Sequence, residues 1–216
     1  PSMHRGAYLV GVAGGSGSGK TSLVRALRSS LPADSVCVVS QDDYYHPKEM
    51  QAVDPNGKVN FDLPTAVDLD GLTADLQRLL SGRSIHKKEY TFNQDGREPG
   101  TIELRPAPVI LVEGLFVLHH EPIRELFDLR VFIDASESAQ LDRRLKRDAK
   151  ERGYESDEIL YQWENHVLPA YRSYLLPYRH LCDLHVVNEL GFERAVKVLR
   201  NHLMHTAGVI ETSALH

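Results

Sequence analysis

The sequence predicts an α/β fold, a three-layer sandwich around a central parallel sheet, and three observations predict it. Short apolar runs recur at 8–13, 36–40, 109–112, 129–133 and 184–187. Leucine stripes at helical spacing fall between several of them, and a glycine-rich loop joins the first run to the first stripe. Runs without polar alternation are what strands buried on both faces look like. Alternation of strand and helix implies right-handed crossovers, with ligands bound at the carboxyl ends of the strands.

The run at 8–13 is short, apolar and followed by glycines, so it reads as a buried strand entering a tight loop. Leu23, Leu27 and Leu31 recur every four positions after that loop and predict the first helix. Leu69, Leu72, Leu76, Leu79 and Leu80 trace a second helix, which Gly82 should end, and Leu141 and Leu145 begin a third, which Gly153 should end. Residues 84–105 break the alternation. There, short polar strands flank the turn signal Gln94-Asp95-Gly96-Arg97, with Tyr90 and Phe92 in the first arm, which predicts an inserted β-hairpin. The stretch 46–60, with two prolines and Asn56-Gly57, reads as the most mobile loop before it. The tail 206–216 has no periodicity and is expected to be loose, leaving a single domain over about 5–205.

Composition narrows the class. The 216 residues, 42% hydrophobic and 25% charged, suit one domain with a full core. A formal charge of -5 and a pI near 6.1 argue against a protein built for the polyanionic surfaces of nucleic acid or membrane, so neither is an expected partner. Cys37 and Cys182 form no close pair and the histidines lack zinc spacing, which fits a reducing compartment and a cytoplasmic location. No apolar run approaches a membrane span.

The chemistry begins at Gly14-Gly15-Ser16-Gly17-Ser18-Gly19-Lys20-Thr21, which fits G-x-x-x-x-G-K-[ST] between a strand and a helix. Glycines let successive N–H groups point at phosphate oxygens, Lys20 supplies a mobile cation and the Thr21 hydroxyl can ligate Mg²⁺. Ser22 extends the predicted nucleotide site into the helix, whose positive end adds to it. This is a P-loop, and the fold class is that of P-loop NTPases. A linker would be the bland reading of a Gly/Ser stretch, yet linkers do not end in Gly-Lys-Thr ahead of an amphipathic helix.

Asp42 follows the second strand and should lie at the same sheet edge, where phosphoryl transfer to an alcohol needs a base that orients the oxygen. Turn capping is the alternative for Asp42 and its neighbour Asp43. Glu113 closes the run at 109–112, a position suited to Mg²⁺, its water or substrate hydroxyls; a buried carboxylate there needs a partner. Thr21, Asp42 and Glu113 are the expected Mg²⁺ donors. In the basic run from Arg143 to Arg152, Arg144 and Arg147 share a helix face, and with Arg152 they could close over the phosphates as a lid at about 144–158. A solvated face paired with Asp142, Asp148 and Glu151 is the plainer reading.

Taken in order, Gly14 to Thr21, Gln41-Asp42, Phe61-Asp62, Tyr90-x-Phe92, Val112-Glu113-Gly114, Arg143-Arg144-x-x-Arg147-Asp148-x-x-x-Arg152-Gly153 and Gln162 resemble the uridine–cytidine kinases among the P-loop nucleoside kinases, over about residues 9–187. The resemblance implies transfer of the γ-phosphoryl of ATP, or of GTP, to the 5′-hydroxyl of a ribonucleoside, with Mg²⁺. It implies that Asp42 acts as base, that Asp62 and Glu113 bind ribose hydroxyls or Mg²⁺, and that Tyr90 and Phe92 line the base pocket. It gives Arg144, Arg147 and Arg152 to the lid and places Gln162 near the substrate, with Tyr45, Phe61 and Asp95 on the acceptor side and a homo-oligomer expected. Leu63, Asp95 and Tyr154 depart from the uridine kinase pattern, so the nucleobase does not carry over.

Ser40-Gln41-Asp42-Asp43, Asn56-Gly57 and His166-Val167-x-Pro169-x-Tyr171 are similar to nicotinamide riboside kinases, whose cationic base Asp95 could welcome. A nucleotide switch transferring phosphate only to water has the same loop, but Asn-Lys-x-Asp is absent here. A kinase for a phosphorylated sugar or pantothenate would call for more basic residues near Asp62 than Lys58.

Overall fold

A computed structural model describes residues 6–91, 99–151 and 153–208. Strands β1 (Tyr8–Gly14), β2 (Val36–Ser40), β5 (Val109–Glu113), β6 (Leu129–Asp134) and β7 (Leu184–Val187) form a parallel sheet in the order β2-β5-β1-β6-β7. β3 (Ile85–Lys88) and β4 (Thr101–Leu104) form a separate antiparallel pair, the base of the expected hairpin; its turn lies outside the described residues.

The central strand β1 explains why these runs carry no polar alternation. Leu9 packs with Cys37, Val39, Ile110, Val112 and Phe132 on one face of the sheet, while Val10 and Val12 pack with Val36, Leu111, Val131 and Ile133 on the other. Each face is then covered by helices, so both must be apolar. α2 (Leu69–Leu80) covers the first face through Leu69, Leu72, Leu76 and Leu79. α1 (Lys20–Ser30) and α7 (Glu193–Thr206) cover the second through Leu23, Leu27, Leu199 and Leu203. The predicted three layers follow from this division.

Between β5 and β6 lies the short α3 (Glu121–Arg124), and β6 leads into α4 (Glu137–Glu151), which carries the basic run. α5 (Ser156–Gln162) passes into a wide π turn (Trp163–Val167), the short α6 (Leu168–Ala170), a second π turn (Tyr171–Leu175) and a 3₁₀ stretch (Leu176–Leu181). Gly82 and Gly153 stand at positive φ just past α2 and α4, as the spacing predicted. The loop at 46–60 is more ordered than its prolines and Asn-Gly suggested. It holds a 3₁₀ turn, Lys48–Met50, and an antiparallel bridge between Val53 and Val59. Among the described residues no helix is long and apolar enough to cross a membrane.

Candidate active site

Sheet register brings three strand ends to one edge. Ser40 of β2 pairs with Glu113 of β5, and Glu113 pairs with Val12 of β1, two residues before the glycine loop. In that loop Gly17 has φ +79°, and a Cβ there would fall on the backbone carbonyl of Gln140, so a side chain is excluded both by conformation and by space. Arg143 donates from Nη1 to Gly17 O at 3.3 Å and from Nη2 to Asn188 O at 2.7 Å, and Asn188 Nδ2 donates to Ser18 O at 2.8 Å. The loop is therefore held from behind by its own carbonyls. α1 starts with Gly19 as its cap and no side chain on its first-turn amides, leaving those donors and the helix's positive end for an anion. Lys20 Nζ donates to Gly15 O at 3.0 Å; burial pulls its ammonium down, while the Glu113 and Asp42 carboxylates hold it up. The loop, Lys20 and the open helix end together fit a nucleotide's phosphates.

One cleft of about 680 Å³, open to solvent, gathers Ser16, Lys20 and Thr21 from the loop and α1 with Asp42 and Glu113 from the sheet edge and Asp62 from the segment after the loop at 46–60. Tyr45 and Phe61, expected on the acceptor side, line it together with Arg144, Arg147 and Gln162. Glu113 is buried and accepts from Ser40 Oγ at 2.7 Å, while Ser40 Oγ accepts from the Asp42 amide at 3.3 Å. Burial pushes the Glu113 carboxyl up to about 7, Asp42 adds to the rise, and Lys20 and the Ser40 hydroxyl oppose it. The Asp42 and Glu113 carboxylates and the Thr21 hydroxyl, lining one cleft, are the hard oxygen donors that suit Mg²⁺. Among the described residues no three His, Cys, Asp or Glu side chains converge on a metal position. A Mg²⁺ ion here would keep water and phosphate oxygens as further ligands, as that ion commonly does.

Arg144 is buried and divides its guanidinium three ways: Nη1 to Ser16 Oγ at 2.9 Å, Nη2 to Gln162 Oε1 at 2.8 Å, and Nε beside Asp148 Oδ2 at 3.2 Å. Arg147 Nε donates to Asp148 Oδ1 at 2.7 Å. The solvated-face reading does not hold for this part of the run: Asp148 is fully buried and pairs with Arg144 and Arg147, the two arginines that line the cleft.

Beside the cleft a wider mouth of about 1100 Å³ is lined by Tyr45, Phe61, Tyr90 and Tyr154 with Asp43. The Tyr45 ring lies 6.1 Å from Phe61, edge to face, and 5.4 Å from Tyr90. Asp43 accepts from the Tyr90 amide at 3.3 Å, fixing the hairpin's first arm to the sheet edge. Gln41 is buried and accepts from the Phe116 amide at 2.7 Å; a Cβ on Gly114 would strike its side chain.

Of the predicted residues, Ser22 is exposed on α1 and outside the cleft wall. Phe92, Asp95 and Arg152 lie outside the described residues. Sequence reasoning passed over Arg143, Gln140 and Asn188, which brace the glycine loop, and Asp54 and Tyr161, which join beside the cleft. Arg143 stands in the basic run beside Arg144, so its charge was visible and only its direction was not.

The parallel sheet, the glycine loop with Lys20 and Thr21, and carboxylates and arginines facing one cleft define a P-loop phosphotransferase with a hydroxyl acceptor. The model of the phosphoribulokinase/uridine kinase family matches residues 9–191, and the chain belongs to that family. A uridine kinase of Brevibacillus brevis is 37% identical over 186 residues, 86% of each chain. A uridine kinase of Lactobacillus helveticus is 36% identical over 184 residues, 85% of this chain and 87% of its own. The phosphoribulokinase of Rhodobacter spheroides shares the fold with a TM-score of 0.63 at 15% identity, covering 85% of this chain and 70% of the other.

Proposed function

We propose that the protein is an ATP- and Mg²⁺-dependent nucleoside kinase that transfers the γ-phosphoryl to the 5′-hydroxyl of uridine or cytidine. The observation that carries this reading is the single cleft in which Asp42 and Asp62 face Lys20 and Thr21 under Arg144 and Arg147. Thr21, Asp42 and Glu113 would hold Mg²⁺, which when bound neutralises charge on the phosphates. Lys20 and the loop amides bind the β- and γ-phosphates, and Arg144 and Arg147 offset the charge that develops between donor and acceptor. Asp42 takes the hydroxyl proton and points the oxygen at phosphorus. Asp62, in the same cleft, would take ribose hydroxyls, with Glu113 as the alternative to its Mg²⁺ role, and the aromatic mouth beside them would take a planar base. The relatives named uridine kinases support the nucleoside, and the hairpin arm at Tyr90 supports a base on that side.

Incubation of the pure protein with Mg²⁺ and ATP or GTP, against uridine, cytidine and nicotinamide riboside, tests the reading by the mass of the monophosphate formed. Uridine or cytidine monophosphate is the expected product. Hydrolysis of the donor without any nucleoside monophosphate would overturn it.

A further inference from the structure

One cluster of side chains beside the cleft is absorbed by none of these roles. Asp54, in the loop at 46–60, has a carboxylate that receives four donors. The amides of Asn56 and Lys58 reach Oδ1, each at 2.9 Å, and wrap the loop around it. Tyr161 Oη at 2.6 Å and His166 Nε2 at 2.8 Å reach Oδ2 from the far side. Asn56 Nδ2 donates to Tyr161 Oη at 2.7 Å, so the phenol accepts one bond and gives the other. The side chains of His166 and Asp54 are only 2% and 10% exposed. Nearly dry, charge-assisted hydrogen bonds of this kind are shorter and stronger than neutral ones.

The local backbone shows why Tyr161 and His166 can act together. Five residues along an α-helix two side chains point roughly 140° apart. The π turn, in which the Leu168 amide bonds back to Trp163 five residues earlier, widens the helix there. Tyr161 and His166 come to one side with their rings 5.8 Å apart and perpendicular. Such turns are frequent at functional sites.

We infer that Asp54 is a positioning residue for the acceptor, tying the loop that leads to Phe61 and Asp62 to the helical turn that presents Gln162 to Arg144. The inference rests on the nucleoside kinase reading of the cleft. The chain of contacts is short. Asn60 Oδ1, at the loop's end, accepts from the Asp62 amide at 2.9 Å, and Gln162 directly follows Tyr161. His166 itself lines the cleft. The nucleotide loop is braced separately, by Arg143 and Asn188, and among the described residues neither of these bonds to Asp54 or its partners. Loosening the Asp54 junction therefore misplaces Asp62 and Gln162 and reaches the phosphate cradle only through the Arg144 bond to Ser16, with the Arg143 and Asn188 braces still in place.

The test compares Asp54→Asn, Tyr161→Phe and the double variant with wild type. Asp54→Asn should raise KM for the accepted nucleoside about tenfold while KM for ATP stays within about twofold. Tyr161→Phe should do the same to a smaller degree, and the double variant should match Asp54→Asn alone, because both remove one junction. A fall in melting temperature with both KM values unchanged would show a merely structural role and overturn the inference, as would equal rises in the two. Amide exchange supplies a readout independent of activity. Asp54→Asn should speed exchange at 51–60 and at 161–167 together, with β1 and β5 unaffected. Should wild type phosphorylate no nucleoside, the functional reading fails, and exchange still decides the junction: separate responses of the two segments overturn it.

Discussion

Glu113 offers the sharpest quantitative test, because the structure makes its ionisation expensive. It is buried at the end of β5 with Asp42 nearby, and its carboxyl rises from 4.5 to about 7. At about 1.4 kcal/mol per pH unit, that rise is a cost of about 3 kcal/mol for holding the carboxylate in the folded state. The folded protein binds this proton more tightly than the unfolded chain, so stability falls as pH rises from about 4.5 to about 7, and the full cost is present above that window. Glu113→Gln keeps an acceptor for the Ser40 hydroxyl and removes the charge. In protein free of Mg²⁺ and nucleotide, the variant should exceed wild type by less than about 1 kcal/mol at pH 5 and by about 3 kcal/mol at pH 8. Urea unfolding at the two pH values measures this as a widening gap in midpoint with an unchanged slope. An equal gap at both, or a variant less stable at pH 8, would refute the electrostatic account of the site.

Asp42→Asn should lower kcat by about 10²- to 10⁴-fold with circular dichroism and melting temperature little changed, in a steady-state assay with the accepted nucleoside. Gly17→Ala, forced onto the Gln140 carbonyl at positive φ, should weaken ATP binding by calorimetry and cost about 1–3 kcal/mol of stability. Arg143→Gln should raise KM for ATP while leaving that for the nucleoside in place, the mirror of Asp54→Asn. Arg144→Gln should reduce kcat more than either KM, and should also destabilise the fold because Asp148 loses a buried partner.

The inner strands β1 and β5 were legible because both of their faces are covered and no polar residue interrupts the apolar run, and because the glycine loop marks which strand comes first; β7, read as buried on both faces, is an edge strand with Leu184 and Val187 exposed. Asp42 and Glu113 were legible by position: Glu113 ends one apolar run and Asp42 stands two residues past another, and parallel strands deliver those ends to one edge. α7 went unread although Leu199 and Leu203 keep helical spacing, since charged residues dilute the stripe and Val198 is exposed. The loop at 46–60 was misjudged for a different reason. Proline and Asn-Gly describe what a backbone does when nothing holds it, and what holds it here, Tyr161 and His166, lies about a hundred residues away in sequence. Long-range side-chain partners leave no periodic trace.

The two halves of the cleft are built on independent supports, and this bears on how transfer can be made conditional on both substrates. Arg143 and Asn188 fix the phosphate side, and Asp54 with Tyr161 and His166 fixes the acceptor side. Arg144 spans them, with one end on Ser16 of the glycine loop and the other on Gln162 of the acceptor wall. A buried guanidinium loses hydration and depends on the partners that replace it, here the hydrogen bonds to Ser16 and Gln162 and the ion pair with Asp148. Its position is therefore set by both halves at once. On the proposed function, a cation whose placement depends on the two walls together would offset charge between donor and acceptor best when both are in register, tying the rate of transfer to their alignment rather than to the occupancy of either side.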